Sequence, residues 1–252
     1  MSTGARTRIR TRLTAAGGLA ALALAAGLAA APAANAAPVR AGAGAPCAAA
    51  AHGGVRLPVG RGGHVVFAVA AGYGTTYATV TECARTRGGW RQILRVPGRI
   101  GTKGYAPPGE KREGDGRTPS GSYSIDRAFG LGNPGTRLRY HRLRASNECW
   151  GSTIGTPEYN RYFHGTCRDT DEDLVAIAKE GQYREAAVIN YNRPPDSPVV
   201  PGLGSAIFLH INGSGATAGC VSVPAGDVDF ILRTLRPGDR ILMGTSAVLF
   251  RG

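Results

Sequence analysis

The chain alternates short apolar runs with breaks rich in glycine and proline. His64–Ala70 (HVVFAVA), Thr75–Cys83 and Trp90–Val96 are β-branched and aromatic, bounded by Gly and Pro, and predict strands. "GSYSI" after Pro119, "AAVINYN" around Val188 and "SAIFLHI" around Phe208 predict three more. Two segments suit helices. Asp171–Glu180 (DEDLVAIAKE) puts its acids first and Lys179 late, as the helix dipole favours. From Pro224, the residues Val228, Ile231, Leu232 and Leu235 recur at i, i+3, i+4 and i+7 and make one apolar face, with Pro224 fitted to the first turn. "RPGD" ends that helix and "RILMG" returns as a strand. The pattern predicts a mainly β fold class with a few short helices. No internal repeat is present.

The first 36 residues follow another logic. "MSTGARTRIRTRL" carries Arg6, Arg8, Arg10 and Arg12 and no acid. An Ala/Leu/Gly run follows to about Ala31, and "AANAAPV" then places small Ala34 and Ala36 around Asn35. Basic, apolar and small-residue regions in this order predict a signal peptide over 1–36, cleaved after Ala36. The competing reading, a membrane anchor, fits less well because the run is rich in Ala and Gly and ends at Pro32. Residues 37–63 are rich in Ala, Gly and Pro with little periodicity and predict an arm or linker. Residues 64–252 are then the main folded domain.

Secretion changes how charge and cysteines are read. The formal net charge is +13; removing the four basic residues of the leader leaves 26 against 17 acidic ones, a net +9. Outside the cell, such a chain meets anionic wall polymers or headgroups. No basic cluster interleaved with aromatics argues for nucleic acid, and no stable membrane anchor is expected after cleavage. The five cysteines are Cys47, Cys83, Cys149, Cys167 and Cys220. An oxidising compartment permits disulfides, and an odd count leaves one thiol over. Cys149 and Cys167 bracket a polar, glycine-containing excursion that suits a bridge. Cys47 and Cys83 are the remaining pair, which leaves Cys220 free. Four paired cysteines still admit three connectivities, and the odd one is a choice among five.

The candidate chemistry lies in "FLHINGSGATAGCVSVP", Phe208 to Pro224. A buried strand ends at His210, glycines turn the chain, and Cys220 leads into a short strand, Val221–Val223, and a helix. Cys220 is the candidate nucleophile and His210 the candidate base. The helix dipole is expected to favour the thiolate. Gly219 permits close backbone approach, and N–H groups of Gly219 and Cys220 can form an oxyanion hole. Against this stands a buried structural Cys beside a satisfied core His. A second stretch, "EGDGRTPSGSYSI" (Glu113–Ile125), is turn chemistry followed by a strand. Tyr191, Asn192 and Arg193, at the end of the strand before the Cys motif, are candidates for the pocket wall. No HExxH, CxxC or close His/Asp cluster suggests a metal, and no cofactor is implied.

"GDGRTPSGSYSI" followed about a hundred residues later by "AIFLHI…TAGCVSV" resembles the L,D-transpeptidase catalytic domain, the YkuD-like family, over roughly Arg91 to Gly244. The resemblance implies a YkuD-like β-sandwich and a cysteine nucleophile acting on peptidoglycan stem peptides, with Cys220 and His210 at the matching positions. It implies a thioester on Cys220, release of terminal D-alanine, and transfer to an amine or to water in the cell wall. The chain departs from the family pattern at Ala218, where a His is usual, at Ser222, and in the ten-residue His-to-Cys interval. Proton transfer therefore falls on His210. The alternatives are a non-catalytic basic wall-binding module, L,D-carboxypeptidase activity only, and a wall endopeptidase. The last is disfavoured because papain-like wall peptidases usually place the Cys before the His.

Overall fold

The structure is a computed structural model and describes residues 46–251. The expected signal peptide, 1–36, and the first part of the arm, 37–45, lie outside the described residues. The elements run α1 (Pro46–Ala51), β1 (His64–Ala70), β2 (Tyr77–Thr86), β3 (Gly89–Arg99), β4 (Tyr105–Ala106), β5 (Thr118–Pro119), β6 (Gly121–Gly130), β7 (Arg139–Arg142), β8 (Glu148–Trp150) and β9 (Tyr162–His164). They continue β10 (Glu172–Asp173), α2 (Leu174–Lys179), β11 (Glu185–Ile189), β12 (Phe208–Ile211), β13 (Val221–Val223), α3 (Ala225–Thr234), β14 (Asp239–Thr245) and α4 (Ser246–Leu249). The fold is mainly β with short helices.

One sheet takes nine strands in the order β11-β12-β13-β3-β2-β1-β14-β6-β7, and β11 also pairs with β6. That extra pairing closes the sheet on itself and gives it an inner and an outer face. Alternation along each strand then sorts the side chains. Val66 and Ala68 of β1, Leu209 and Ile211 of β12, Val221 and Val223 of β13, and Ile241 and Met243 of β14 share the largest core cluster. Val228, Ile231 and Leu232 of α3 join it, so the helical stripe read from the sequence is the face that is buried. Full burial of each such side chain contributes roughly 1.5–3 kcal/mol.

The opposite parity of the same strands forms two smaller clusters. Val65 and Phe67 of β1 and Leu242 of β14 pack under α1 and α4 with Cys47, Val55 and Phe250. Phe129 of β6, Ala186 and Val188 of β11, and Phe208 of β12 pack with Trp150, Leu174, Val175 and Tyr183. This last group belongs to residues 143–183, an excursion carrying β8, β9, β10 and α2. A Cys149–Cys167 disulfide staples it, and Cys47–Cys83 ties α1 to β2. Both pairings match the expected ones, and Cys220 is the free thiol.

Two sequence readings change. Residues 46–63, read as arm or linker, are packed onto the sheet: Cys47 and Val55 are buried, Val55 bridges Phe250, and Ser122 donates to the Pro58 carbonyl. Helix α2 begins at Leu174, not Asp171, because the acids before it have other partners. Asp173 caps it by accepting from the N–H groups of Val175 and Ala176 at 3.1 and 2.9 Å. Asp171 accepts from the N–H groups of Ser152 and Thr153, and Glu172 pairs with Trp150 in β10–β8.

Candidate active site

β12 and β13 run parallel, with Leu209 opposite Val221 and His210 opposite Ser222. Leu209 and Val221 point into the main core. Phe208, His210 and Cys220 therefore share the outer face. His210 is one step diagonal from Cys220, about 8 Å between Cα atoms from standard strand spacings. Both side chains line a cavity of about 370 Å³, roofed by the excursion and by the loops around 111–114 and 205–207. Ala218 and Gly219 also line it, and the exposed Ala218 leaves space where a larger side chain would stand.

The Cys220 sulfur is held by two backbone groups. The Phe208 N–H donates to it at 3.3 Å, and the thiol donates to the Ala206 carbonyl at 3.2 Å. Burial, reinforced by the nearby Glu172 carboxylate, pushes the thiol up to about 12, against smaller opposing effects of the Phe208 N–H, Tyr183 and Lys111. The expected help from the helix dipole does not arrive. α3 begins at Ala225, beyond the whole of β13, on the order of 15 Å of extended chain away. Such an effect fades within the first turn.

His210 donates from Nδ1 to the Ile211 carbonyl at 2.8 Å, since a carbonyl oxygen only accepts. In the neutral ring this leaves Nε2 as the basic nitrogen. Burial lowers its pKa to about 4, so the imidazole rests neutral. The Tyr183 ring packs edge-on against it with centroids 5.1 Å apart.

The upstream motif acts on the nucleophile through its backbone. The Thr118 hydroxyl accepts from the Gly101 N–H at 2.9 Å and donates to the Cys220 carbonyl at 3.2 Å, joined there by Thr217 Oγ1 at 2.7 Å. Asp115 folds the preceding turn by accepting from Arg112 N–H, Arg117 N–H and Lys111 Nζ, each at 2.8 Å. A Cβ on Gly219 would stand 3.1 Å from the Arg117 carbonyl, a contact tight enough that the neighbouring backbone would have to give by a few tenths of an ångström. The Gly219 N–H donates to Thr217 Oγ1 at 3.2 Å and would have to leave that bond to serve an oxyanion.

Tyr191, Asn192 and Arg193 do not line the cavity. They brace what does. Tyr191 donates to the Leu203 carbonyl, Asn192 bonds Val200 and Gly204, and the Arg193 guanidinium lies 4.9 Å over the Trp150 ring. Buried Asn160 connects them to the thiol. Its Oδ1 accepts from Trp150 Nε1 and Ala206 N–H, and its Nδ2 donates to the carbonyls of Tyr191 and Asn192. Among the described residues, Asn160, Asn192 and Ala206 are the non-glycine residues with positive φ, at 54°, 50° and 52°. The Asn160 side chain ties these three positions together, next to the Ala206 carbonyl that accepts from Cys220.

Three further groups had no motif signal, Lys111, Glu172 and Tyr183, and Glu113 stood at the edge of the upstream stretch with no role assigned to it. Glu113 accepts from Tyr159 and Ser205, and Glu172 accepts from the Tyr183 hydroxyl at 2.7 Å. Only a strand-and-cavity arrangement gathers them around Cys220.

With that geometry in place, comparison with known proteins is informative. Residues 86–243 match the family model of the L,D-transpeptidase catalytic domain. The chain belongs to that family. Among solved structures, it is similar to L,D-transpeptidase 1 of Mycobacterium tuberculosis, at 12% identity over 72% of this chain and 61% of that one, with a TM-score of 0.31. An L,D-transpeptidase (Yku) from Stackebrandtia nassauensis is similar at 12% identity over 75% and 58%, with a TM-score of 0.32. The chain thus spans about three-fifths of the length of these two L,D-transpeptidases. No curated protein matches it.

Proposed function

We propose that the protein is a secreted, cysteine-dependent L,D-transpeptidase that acts on peptidoglycan stem peptides. The observation that carries the reading is a free thiol and a neutral imidazole with its Nε2 lone pair available, on one face of the sheet and lining one cavity, in a chain of this family. Nε2 of His210 takes the Cys220 proton as the sulfur attacks the carbonyl of the stem-peptide diamino acid. The C–N bond to terminal D-alanine breaks, and the leaving amine receives that proton from His210. The thioester is then resolved by an amine, which cross-links, or by water, which trims. Backbone N–H groups at Gly219 and Cys220 are the candidate oxyanion donors. The basic surface favours anionic wall polymers as neighbours.

Intact-mass analysis after exposure to a carbapenem, a thiol acylator for this family, tests the reading. One adduct is expected, absent in Cys220→Ala and in His210→Ala. An adduct that survives Cys220→Ala, or none on the parent protein, would sink it.

A further inference from the structure

The cavity's charge runs opposite to that of the protein. The chain is strongly basic, yet the charged groups lining the cavity are Glu113, Glu172 and Glu180 against Lys111 alone. Lys111 is already engaged by Asp115 at 2.8 Å. Such a lining attracts a cation, and the cation the second half-reaction requires is the acceptor amine, which is an ammonium at neutral pH. An ammonium has no lone pair and must lose a proton before it can attack a thioester. His210 has a separate task at the sulfur.

Glu172 is placed for this proton. It lines the same cavity as Cys220 and His210. Its backbone is fixed by pairing with Trp150, and its Oε2 accepts from the Tyr183 hydroxyl at 2.7 Å. The Tyr183 ring in turn packs on Phe208 and His210. The groups facing it are Lys111 and Glu113 from the loop before β5, Glu180 from the end of α2, Tyr183, His210 and Cys220. Burial, with the charge of Glu113 adding to it and the Tyr183 hydroxyl opposing it, raises the carboxyl to about 7. A base of that strength can hold a proton and release it near neutral pH.

We propose that the cavity receives its acceptor as an ammonium, and that Glu172 takes the proton that must leave before attack on the Cys220 thioester. This rests on the transpeptidase reading above. The ammonium gives one proton to the Glu172 carboxylate and becomes a neutral amine. Its lone pair forms the C–N bond as the C–S bond breaks. The second amine proton passes through His210 Nε2 to the departing Cys220 sulfur, which leaves as thiol. Glu172 returns its proton to water.

The test compares the purified protein with Glu172→Gln, whose amide oxygen can still accept from Tyr183. Each is given a tetrapeptide donor and one of two nucleophiles: glycinamide, largely an ammonium at pH 7, or hydroxylamine, already neutral there. The ratio of transfer product to hydrolysed acid is read by mass. In the variant the glycinamide ratio should fall about five- to tenfold, the ceiling being set by the roughly one-tenth of an α-amine near 8 that is already neutral at pH 7. The hydroxylamine ratio should change less than about threefold, because that nucleophile has no proton to lose first. If both ratios fall together, or neither falls, the inference is overturned. Loss of carbapenem adduct by the variant also overturns it, since Glu172 would then be acting on the thiol. A parent protein that forms no adduct fails at the earlier reading instead.

Discussion

The resting Cys220 should alkylate slowly, although it is the proposed nucleophile. Its thiol is held at about 12, whereas an ordinary cysteine lies at about 8.5. At pH 7 the ordinary thiol is ionised to roughly 3% and the buried one to roughly one part in 10⁵, about 3 × 10³-fold less. The more basic thiolate is the better nucleophile, and a Brønsted slope of about 0.4–0.5 returns roughly 40-fold. The net expectation is a rate constant about 10² lower than that of the same chain unfolded in urea, before any steric shielding. Iodoacetamide labelling followed by mass measures it directly, without reductant, because the other four cysteines are in disulfides. The rate should climb with pH throughout the range from 7 to 10. A folded-state rate equal to or above the unfolded one at pH 7, or a midpoint near neutrality, would refute the assignment of a neutral, backbone-clamped thiol. Carbapenem acylation is expected to proceed under the same conditions, since there the proton moves to His210 as the carbonyl is attacked.

Other expectations follow from the same geometry. Thr118→Val deprives the buried Gly101 N–H of its acceptor and the Cys220 carbonyl of one donor; urea titration should show a loss of about 1–3 kcal/mol, with slower adduct formation. Asn160→Ala leaves Trp150 Nε1, Ala206 N–H and two carbonyls short of a partner, so a loss above about 3 kcal/mol is expected in the same assay. Removing the Cys47–Cys83 bridge, separation 36, should cost about 4 kcal/mol in the chain-entropy account, and removing Cys149–Cys167, separation 18, about 3 kcal/mol; only the second should also slow acylation, because it staples the excursion whose Asn160 and Tyr183 brace Ala206 and His210 beside the thiol. Glu172 has a folded pKa raised to about 7 from a usual 4.5, so its contribution is full below 4.5 and lost as pH rises through 7. The thermal stability of Glu172→Gln relative to the parent should therefore improve between those limits; a flat difference would contradict the shift.

How much of this was legible depends on what each segment has to bury. Strands β1, β12 and β13 were readable to the residue or nearly so, because β-branched runs bounded by glycine and proline have few other uses. The apolar face of α3 was readable from its spacing. The excursion was not. Its strands are two or three residues long, too short for any period, and its acids look like helix-dipole partners although Asp171 holds Ser152 and Thr153. Cys220 and His210 were found by type and order. The state of the thiol was misjudged, because a helix that is near in sequence is separated from it by an extended strand. Tyr191, Asn192 and Arg193 were placed on the wall by adjacency to a strand end, but their side chains are taken up by Leu203, by Val200 and Gly204, and by the Trp150 ring.

The excursion also accounts for how a chain with Ala218 can still build a site around this cysteine. One stapled segment supplies Trp150, Asn160, Glu172 and Tyr183 to a single side of the β12–β13 pair. Asn160 bends residue 206 so that its carbonyl meets the thiol. Tyr183 packs against the imidazole, and Glu172 adds a carboxylate to a cavity that carries no second imidazole among its lining residues. Burial keeps thiol and imidazole neutral at rest, and the gap between about 12 and about 4 makes their ion pair costly before substrate arrives. Ionisation must therefore accompany attack on a bound carbonyl. That arrangement protects the thiol from stray electrophiles and ties its reactivity to occupancy, which is why alkylation and acylation are expected to diverge.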